Sequence, residues 1–336
     1  HKPPRNAADL TAAGIALEHQ PARLGVLWQQ LQLPRRLNRG DIDLFWSPLQ
    51  TLPLASRVPA VVTVHDLTAL LLPETHSARV RWSQLPFLGR SLDRACLIVA
   101  DSEATAADLR FHFPDTSSRL RVIYPGVDPV FTPAPPEDVK LIRNELGCPD
   151  GYLLFVGTLE PRKNIPTLLD AWEALRREDP ATPPLVLAGG PGWHGGVLPR
   201  RLQALAPHGL HHLGRVSDQR LVRLMQGATI FVYPSLYEGF GLPPLEAMAC
   251  GVPVVTSDAA SLPEVVGNAG LTVEPRNPEA LITALERLLA NPDLAAELGR
   301  RGRERAATFT WERAAAEIEA VFFEALGQAE AGHGIE

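Results

Sequence analysis

Lysine is almost missing from this chain. Only Lys2, Lys140 and Lys163 occur among the 32 lysines and arginines of its 336 residues. Positive charge is therefore carried by arginine, and Lys163 stands out against that background. Cysteine is scarce too: Cys96, Cys148 and Cys250 are scattered, odd in number and form no CxxC pair. This argues against a disulfide framework and for a reducing compartment. Basic charge is not in excess, the formal net charge being -6 with His neutral, which argues against a nucleic-acid partner. No apolar run approaches the ~18–20 residues of a transmembrane helix, and no signal peptide is read at the start, His1. The expected localisation is cytoplasmic, with the inner membrane face as the alternative. GxGxxG in a first βα turn is absent, which weakens a dehydrogenase reading. A GxSxG elbow and a Ser-His-Asp set are also absent.

What is present alternates short apolar runs with helix-length segments. Runs at 43–46, 60–64, 97–100 and 120–124 are bounded by turn residues, as buried parallel strands are. Asp101 or Ser102 is placed to cap the helix after the third run. Pro133, Pro135 and Pro136 interrupt the pattern, so an interdomain linker is expected at 131–138. The pattern then restarts, with strands at 152–156, 185–188, 229–233, 252–256 and 271–274. Helices are expected at 165–177, 218–226, 244–250, 278–290 and 294–307. Two runs of βα units imply an α/β chain of two doubly wound domains. In such sheets ligands sit beyond the carboxyl ends of the strands.

The stretch from Tyr233 to Glu246 says most about chemistry. A strand delivers a loop holding Gly239 and Gly241, and the loop leads into a helix whose first turn suits Pro243 and Pro244. The glycines let backbone amides come close to a ligand. A helix N-terminus offers free N–H groups to an anion, phosphate above all. Glu238 stands before those amides and Glu246 after them. Carboxylates accept hydrogen bonds from hydroxyls, so the spacing fits a nucleotide-sugar, which has hydroxyls at both ends and phosphates between. The bland alternative is a capped helix with two solvated glutamates. Arg162 and Lys163, in a first turn, oppose the helix dipole unless an anion is near. Cations aimed there would stabilise a departing diphosphate. Lys163 is expected in a polar, exposed position, where its removal depresses turnover far more than folding.

Residues 233–255 resemble the donor-site signature of the retaining GT-B glycosyltransferases, the family-4 group that includes many bacterial mannosyltransferases. Segments 61–66, 122–128, 155–164, 187–190 and 213–217 match it in order. The resemblance runs from about Asp41 to the C-terminus; it is specific for fold and donor class and weak for the acceptor. It implies the GT-B architecture: two Rossmann-like domains facing a cleft, an acceptor-side domain at 1–131 and a donor domain at 132–310. A terminal helix at 311–336 crosses back onto the first domain. Nothing before Asp41 matches the first strand and glycine-rich loop with which family members begin, so these are expected to be missing.

The resemblance also distributes roles. His65, Arg162, Lys163 and Glu238 become the catalytic set. Gly157, Thr158, Arg162, Lys163, Gly214, Arg215, Val216, Glu238, Gly239, Phe240, Gly241, Leu242 and Glu246 become the donor side. Glu246 takes the ribose hydroxyls, and Gly214 to Ser217 border the base. The family's cation just after Gly157 is replaced here by Thr158, and Arg162 is read as its substitute. His65 reaches the donor sugar or its phosphate, while Asp66 orients the imidazole or meets the acceptor. The implied activity is retaining transfer of a hexose to a hydroxyl acceptor, a glycan or a lipid-linked sugar. GDP-mannose is the first donor expected and UDP-glucose the second. Neither a metal nor a cofactor is called for. The alternatives are a nucleotide-sugar 2-epimerase of the same fold and a non-catalytic donor-binding remnant.

Three decoys remain. Asp41-Ile42-Asp43 has the DxD form of metal-binding transferases but reads as a turn. His208, His211 and His212 cluster without cysteines, so zinc is not expected. The stretch 79–94, with Trp82, Phe87 and Leu88, leaves peripheral membrane contact open, but Pro86 favours a surface helix pair.

Overall fold

The structure is a computed structural model and describes residues 7–18, 25–76, 78–192 and 197–333. Strands β1 (Phe45–Ser47), β2 (Ala60–Val64), β3 (Leu97–Ala100) and β4 (Leu120–Val122) form one parallel sheet in that order. A second parallel sheet holds β5 (Leu153–Val156), β6 (Leu185–Ala188), β7 (Leu210–Gly214), β8 (Ile230–Tyr233), β9 (Val254–Ser257) and β10 (Leu271–Val273). Its spatial order is β10-β9-β8-β5-β6-β7. The two sheets with their covering helices are the two Rossmann-like halves expected from the βα pattern.

Central strands such as β2, β3, β6 and β8 are buried along their whole length. Covered on both faces, they are written as runs of Val, Ile, Leu and Phe without alternation. The edge strand β7, Leu-His-His-Leu-Gly, is only partly buried. Its polar residues hide it, because His211 and His212 break the apolar run that marks a central strand. Two other expectations need correction. Helix Ala78–Arg94 runs unbroken through Pro86, where a helix pair was expected; a proline removes one donor and bends a helix without having to end it. The side chain of Trp82 lies outside the described residues. Helix Pro136–Glu145 begins inside the expected linker, because a proline is well tolerated at the first helical position.

The last helix, Trp311–His333, packs back onto the first sheet. Ala314, Val321 and Ala325 are buried with Val61, Leu97, Val99 and Ile123. Trp46 meets Phe322 at 5.6 Å between ring centroids, and Arg121 pairs with Glu324. No helix among the described residues is long and apolar enough to cross a membrane.

The two halves also touch across the cleft. Ser102 caps helix Glu103–His112 by accepting from the Thr105 N–H at 3.0 Å. The next free amides of that helix, Glu103 and Ala104, donate to the Glu264 carboxylate of the other half at 3.0 and 3.1 Å. The Tyr124 hydroxyl donates to the same carboxylate at 3.2 Å. A carboxylate across a helix N-terminus meets both unpaired N–H groups and the positive end of the dipole. Tyr124, Phe240 and Phe309 close an aromatic cluster beneath it. Glu264→Ala should therefore loosen the pairing of the halves. Losing three charge-assisted hydrogen bonds lowers the melting temperature by about 2–5 °C and raises the radius of gyration in small-angle scattering. A melting curve and scattering profile that overlay the parent's would show that other contacts hold the cleft.

Candidate active site

In the second sheet the chain builds outward from β5 to β7, then returns and builds the other way from β8 to β10. The order reverses between β5 and β8, and such a reversal opens a crevice at the carboxyl ends of the two strands. The β5 end leads to Gly157, Arg162 and Lys163; the β8 end leads to Pro234 through Gly241. Opposite them are the ends of β1, β2 and β3, which carry Pro48, His65 and Asp101. Together they line one cavity of about 830 Å³.

Its charged floor centres on Glu238, only 7% exposed. Arg162 donates to Glu238 Oε2 at 2.6 Å and to Glu160 at 2.7 Å. Lys163 Nζ is 2.7 Å from Glu238 Oε1, which also receives the Ser235 hydroxyl. Burial pushes the Glu238 carboxyl up, but Lys163 and Arg162 outweigh it and hold the group at about 2. Burial pulls the Lys163 amine below its usual range; Glu238 opposes the fall and Arg162 adds to it. Arg162 is raised, its burial outweighed by Glu238 and Glu160. Lys163 is itself 8% exposed, which corrects the expectation of an exposed position. The short 3-10 turn Pro161–Lys163 folds it inward under the Tyr233 hydroxyl.

Asn164, in the left-handed region at φ 56°, ends that turn. Its side-chain amide donates to the carbonyl of Pro234, and Leu236 N–H donates to the carbonyl of Arg162 at 2.8 Å. The β5 and β8 loops are thus tied by one backbone bond and one side-chain bond.

Across the cleft, His65 Nδ1 is 2.6 Å from Asp101 and Nε2 is 2.7 Å from the Pro48 carbonyl oxygen. The imidazole is therefore oriented by Asp101. Asp66 does not take that role, because its Oδ1 receives the N–H and the hydroxyl of Thr68. Asp66 and Thr158 line the cavity with the other residues. Gly239, Phe240, Gly241 and Leu242 do so as well, at the start of helix Leu242–Ala249. Gly241 takes φ 115° as that helix's N-cap, a conformation few side chains adopt. A Cβ on Gly239 would lie 1.9 Å from the His65 carbonyl oxygen, so only glycine lets this loop meet the opposite half.

Glu246 stands one turn into the same helix and is not among the residues lining the cavity. Burial pushes its carboxyl up to about 7, with Asp128 adding to the rise. Gly214 ends β7, two strands from β5, and Arg215 and Val216 follow it, also outside the lining; Arg215 lies over Gly190. Of the decoys, Asp41 is bound by Arg36 at 2.8 Å. His212 lies 3.2 Å from the Gly189 carbonyl oxygen. Among the described residues no group of three or more His, Cys, Asp or Glu is gathered as metal ligands would be. The loop 189–194 is described only to Gly192; Trp193 and His194 lie outside the described residues. Sequence reasoning missed Asp101 and Glu264 as partners at the cleft, though Asp101 at a strand end beside His65's strand was a signal within reach.

Comparison with known proteins gives the same outline. A family model described as glycosyl transferases group 1 matches residues 139–305, and one described as glycosyltransferase family 4 matches residues 4–131. The second match begins well ahead of Asp41, the point from which the sequence reading traced the resemblance. O-antigen chain mannosyltransferase B of Escherichia coli is 38% identical over 256 residues, covering 75% of this chain and 67% of that protein. D-inositol 3-phosphate glycosyltransferase of Salinispora arenicola is 34% identical over 350 residues, covering 96% and 78%. Sucrose-phosphate synthase from Thermosynechococcus elongatus has a similar structure, with a TM-score of 0.73 at 26% identity over 88% of this chain and 77% of that one. Anabaena HepE, solved with UDP and glucose, shares the fold with a TM-score of 0.73 at 22% identity, over 94% and 88%.

Two outcomes are expected of the floor. Lys163→Met leaves Glu238 short of one of its two cations, so it should cost about 2–4 kcal/mol of stability at pH 7, read by urea unfolding. A loss of activity with no loss of stability would contradict the buried pair. Glu246 behaves the other way. Its folded-state value lies above the unfolded one of about 4.3, so the folded protein binds the proton more tightly. Stability is then full below pH 4.5 and declines as pH rises through 7. Glu246→Gln should melt about 2–4 °C higher than the parent at pH 8 and level with it at pH 4.5. An equal difference at both pH values would argue against a carboxyl that titrates late.

Proposed function

This chain belongs to the family-4 glycosyltransferases, the glycosyl transferases group 1, and we propose that it moves a hexose from a nucleoside-diphosphate sugar to a hydroxyl acceptor. Mannose from GDP-mannose is the first donor in this reading, supported by the 38% identical relative named as a mannosyltransferase; UDP-glucose is second. The acceptor is a glycan or a lipid-linked sugar, met in the cytoplasm or at the inner membrane face. The observation that carries the reading is the cation pair Arg162 and Lys163, bound to one buried carboxylate beside the free amides of a glycine loop.

A diphosphate seated on the amides of Gly239 to Leu242 brings negative charge toward that pair. Arg162 and Lys163 then turn part of their charge from Glu238 to the leaving group, which gains charge as the glycosidic bond breaks. Electrostatic help of this kind supplies a few kcal/mol per group. Glu238, released in part, accepts a hydrogen bond from a sugar hydroxyl, and Glu246 does the same for the ribose. The acceptor oxygen attacks from the face the diphosphate leaves, so the sugar keeps its anomeric configuration. A leaving-group oxygen takes the acceptor's proton, and no protein nucleophile is needed. Holding both substrates in line contributes much of the rate, and the closed cleft excludes water that would hydrolyse the donor.

Thermal melting with GDP, UDP and ADP tests the donor. GDP should raise the melting temperature most, by the mass-action term that grows with the logarithm of ligand over Kd. No rise with any of the three would sink the donor reading. The anomeric coupling in the NMR spectrum of the transferred sugar tests retention, and an inverted product would refute it.

A further inference from the structure

His65 is held at both ring nitrogens, and both partners are acceptors. A carbonyl oxygen never donates, and an ionised carboxylate accepts only. Satisfying Asp101 at 2.6 Å and Pro48 at 2.7 Å together requires a proton on each nitrogen. An imidazole in that state is a cation with no lone pair left to act as a base. The three groups come from the ends of three neighbouring strands, β1, β2 and β3, so the sheet itself sets their spacing. The His65 side chain is 54% exposed and that of Asp101 19%, which leaves the ring open to the cavity and the carboxylate behind it.

The Asp101 carboxylate is not spent on the helix that follows, since Ser102 caps it. Among the described residues the contact with His65 is its one side-chain hydrogen bond. Asp66 adjoins the ring from its own loop, but its Oδ1 is engaged by Thr68. Glu160, Arg162, Lys163, Tyr233, Glu238 and Tyr124 line the same cavity as the ring. The cations among them are already matched to carboxylates.

We infer that Asp101 is a positioning residue for the transfer: it fixes the His65 ring between β1 and β3 and keeps it a cation turned toward the departing diphosphate. The inference rests on the proposed function of this cleft. In agreement, the hydrogen bond that the ring donates to Asp101 raises the imidazole above its usual value of 6.5, although burial opposes it. The ring then stays charged at pH values where a free histidine is neutral.

Two readouts test this on the full chain: NMR titration of ring-labelled histidines, and turnover of GDP-mannose followed as GDP release, with UDP-glucose run in parallel. In Asp101→Asn the His65 titration should move to lower pH. Turnover should fall about tenfold at pH 8 and recover toward the parent at pH 6, in kcat more than in KM. Asp101→Glu, which keeps the charge, should retain the parent's pH profile in part. A His65 titration unchanged in Asp101→Asn, or a loss equal at pH 6 and pH 8, would overturn the inference. Parent-like turnover in His65→Ala would remove His65 from the reaction and Asp101's part with it. If no nucleotide binds, the proposed function fails, while the NMR titration still decides whether Asp101 charges the ring.

Discussion

One buried carboxylate organises the cleft. An ionised group taken out of water costs several kcal/mol unless it is paired and hydrogen-bonded. Glu238 meets that cost with Arg162, Lys163 and the Ser235 hydroxyl. Its cations arrive from the end of β5, and it stands itself beyond the end of β8. The network therefore closes only when those two strands lie side by side, as the reversal of strand order makes them. Around it the chain spends its stiffest parts: stacked Phe155 and Tyr233 at 5.6 Å, the left-handed Asn164, and the hydrogen bonds that join the loops. The charges are thus in place before any ligand arrives, which is the condition under which fixed dipoles lower a barrier without reorganising.

Much of this was legible in the sequence, and the reason is locality. Runs of Val and Leu ended by turn residues mark β2, β3, β6 and β8 because a strand covered on both faces has no other way to be written. The glycines at 239 and 241 and the prolines at 243 and 244 announce a loop entering a helix, since each acts through its own backbone. What stayed hidden depends on residues far apart in the chain. Lys163 reads as an exposed cation until Glu238 is folded over it. Asp101 reads as a helix cap, and only the pairing of β2 with β3 brings it to His65. Glu264 has no signal of its own, because what it meets is two backbone amides of another helix and a distant tyrosine hydroxyl. The strand β7 was missed for a different reason: at an edge, solvent permits His211 and His212 where a central strand would demand valine.

The two walls of the cleft differ in kind. On one, cations and carboxylates saturate each other, so the wall is held rigid and little charge is left over. On the other, His65 and Asp101 form a small dipole whose acidic end is set back and whose ring is half open. In the proposed reaction a diphosphate entering between them would meet matched charges that must loosen on one side and a fixed positive edge on the other. On that proposal the first wall would select a ligand able to replace Glu238 as a partner, and the second would need no rearrangement.

Contact between the walls is made at the loop itself. Gly239 lies against the His65 carbonyl, and the Thr105 hydroxyl is within 3.3 Å of the Gly239 carbonyl and 3.2 Å of the His65 carbonyl. Tyr237 reaches Asp108 from the same loop. These bonds join the backbone that would cradle phosphate to the strand end that carries the imidazole. Any opening of the cleft must move one against the other. The distance between His65 and Glu238 is therefore not set by either half alone; it is set by closure, and closure is written into a loop that tolerates no side chain at position 239.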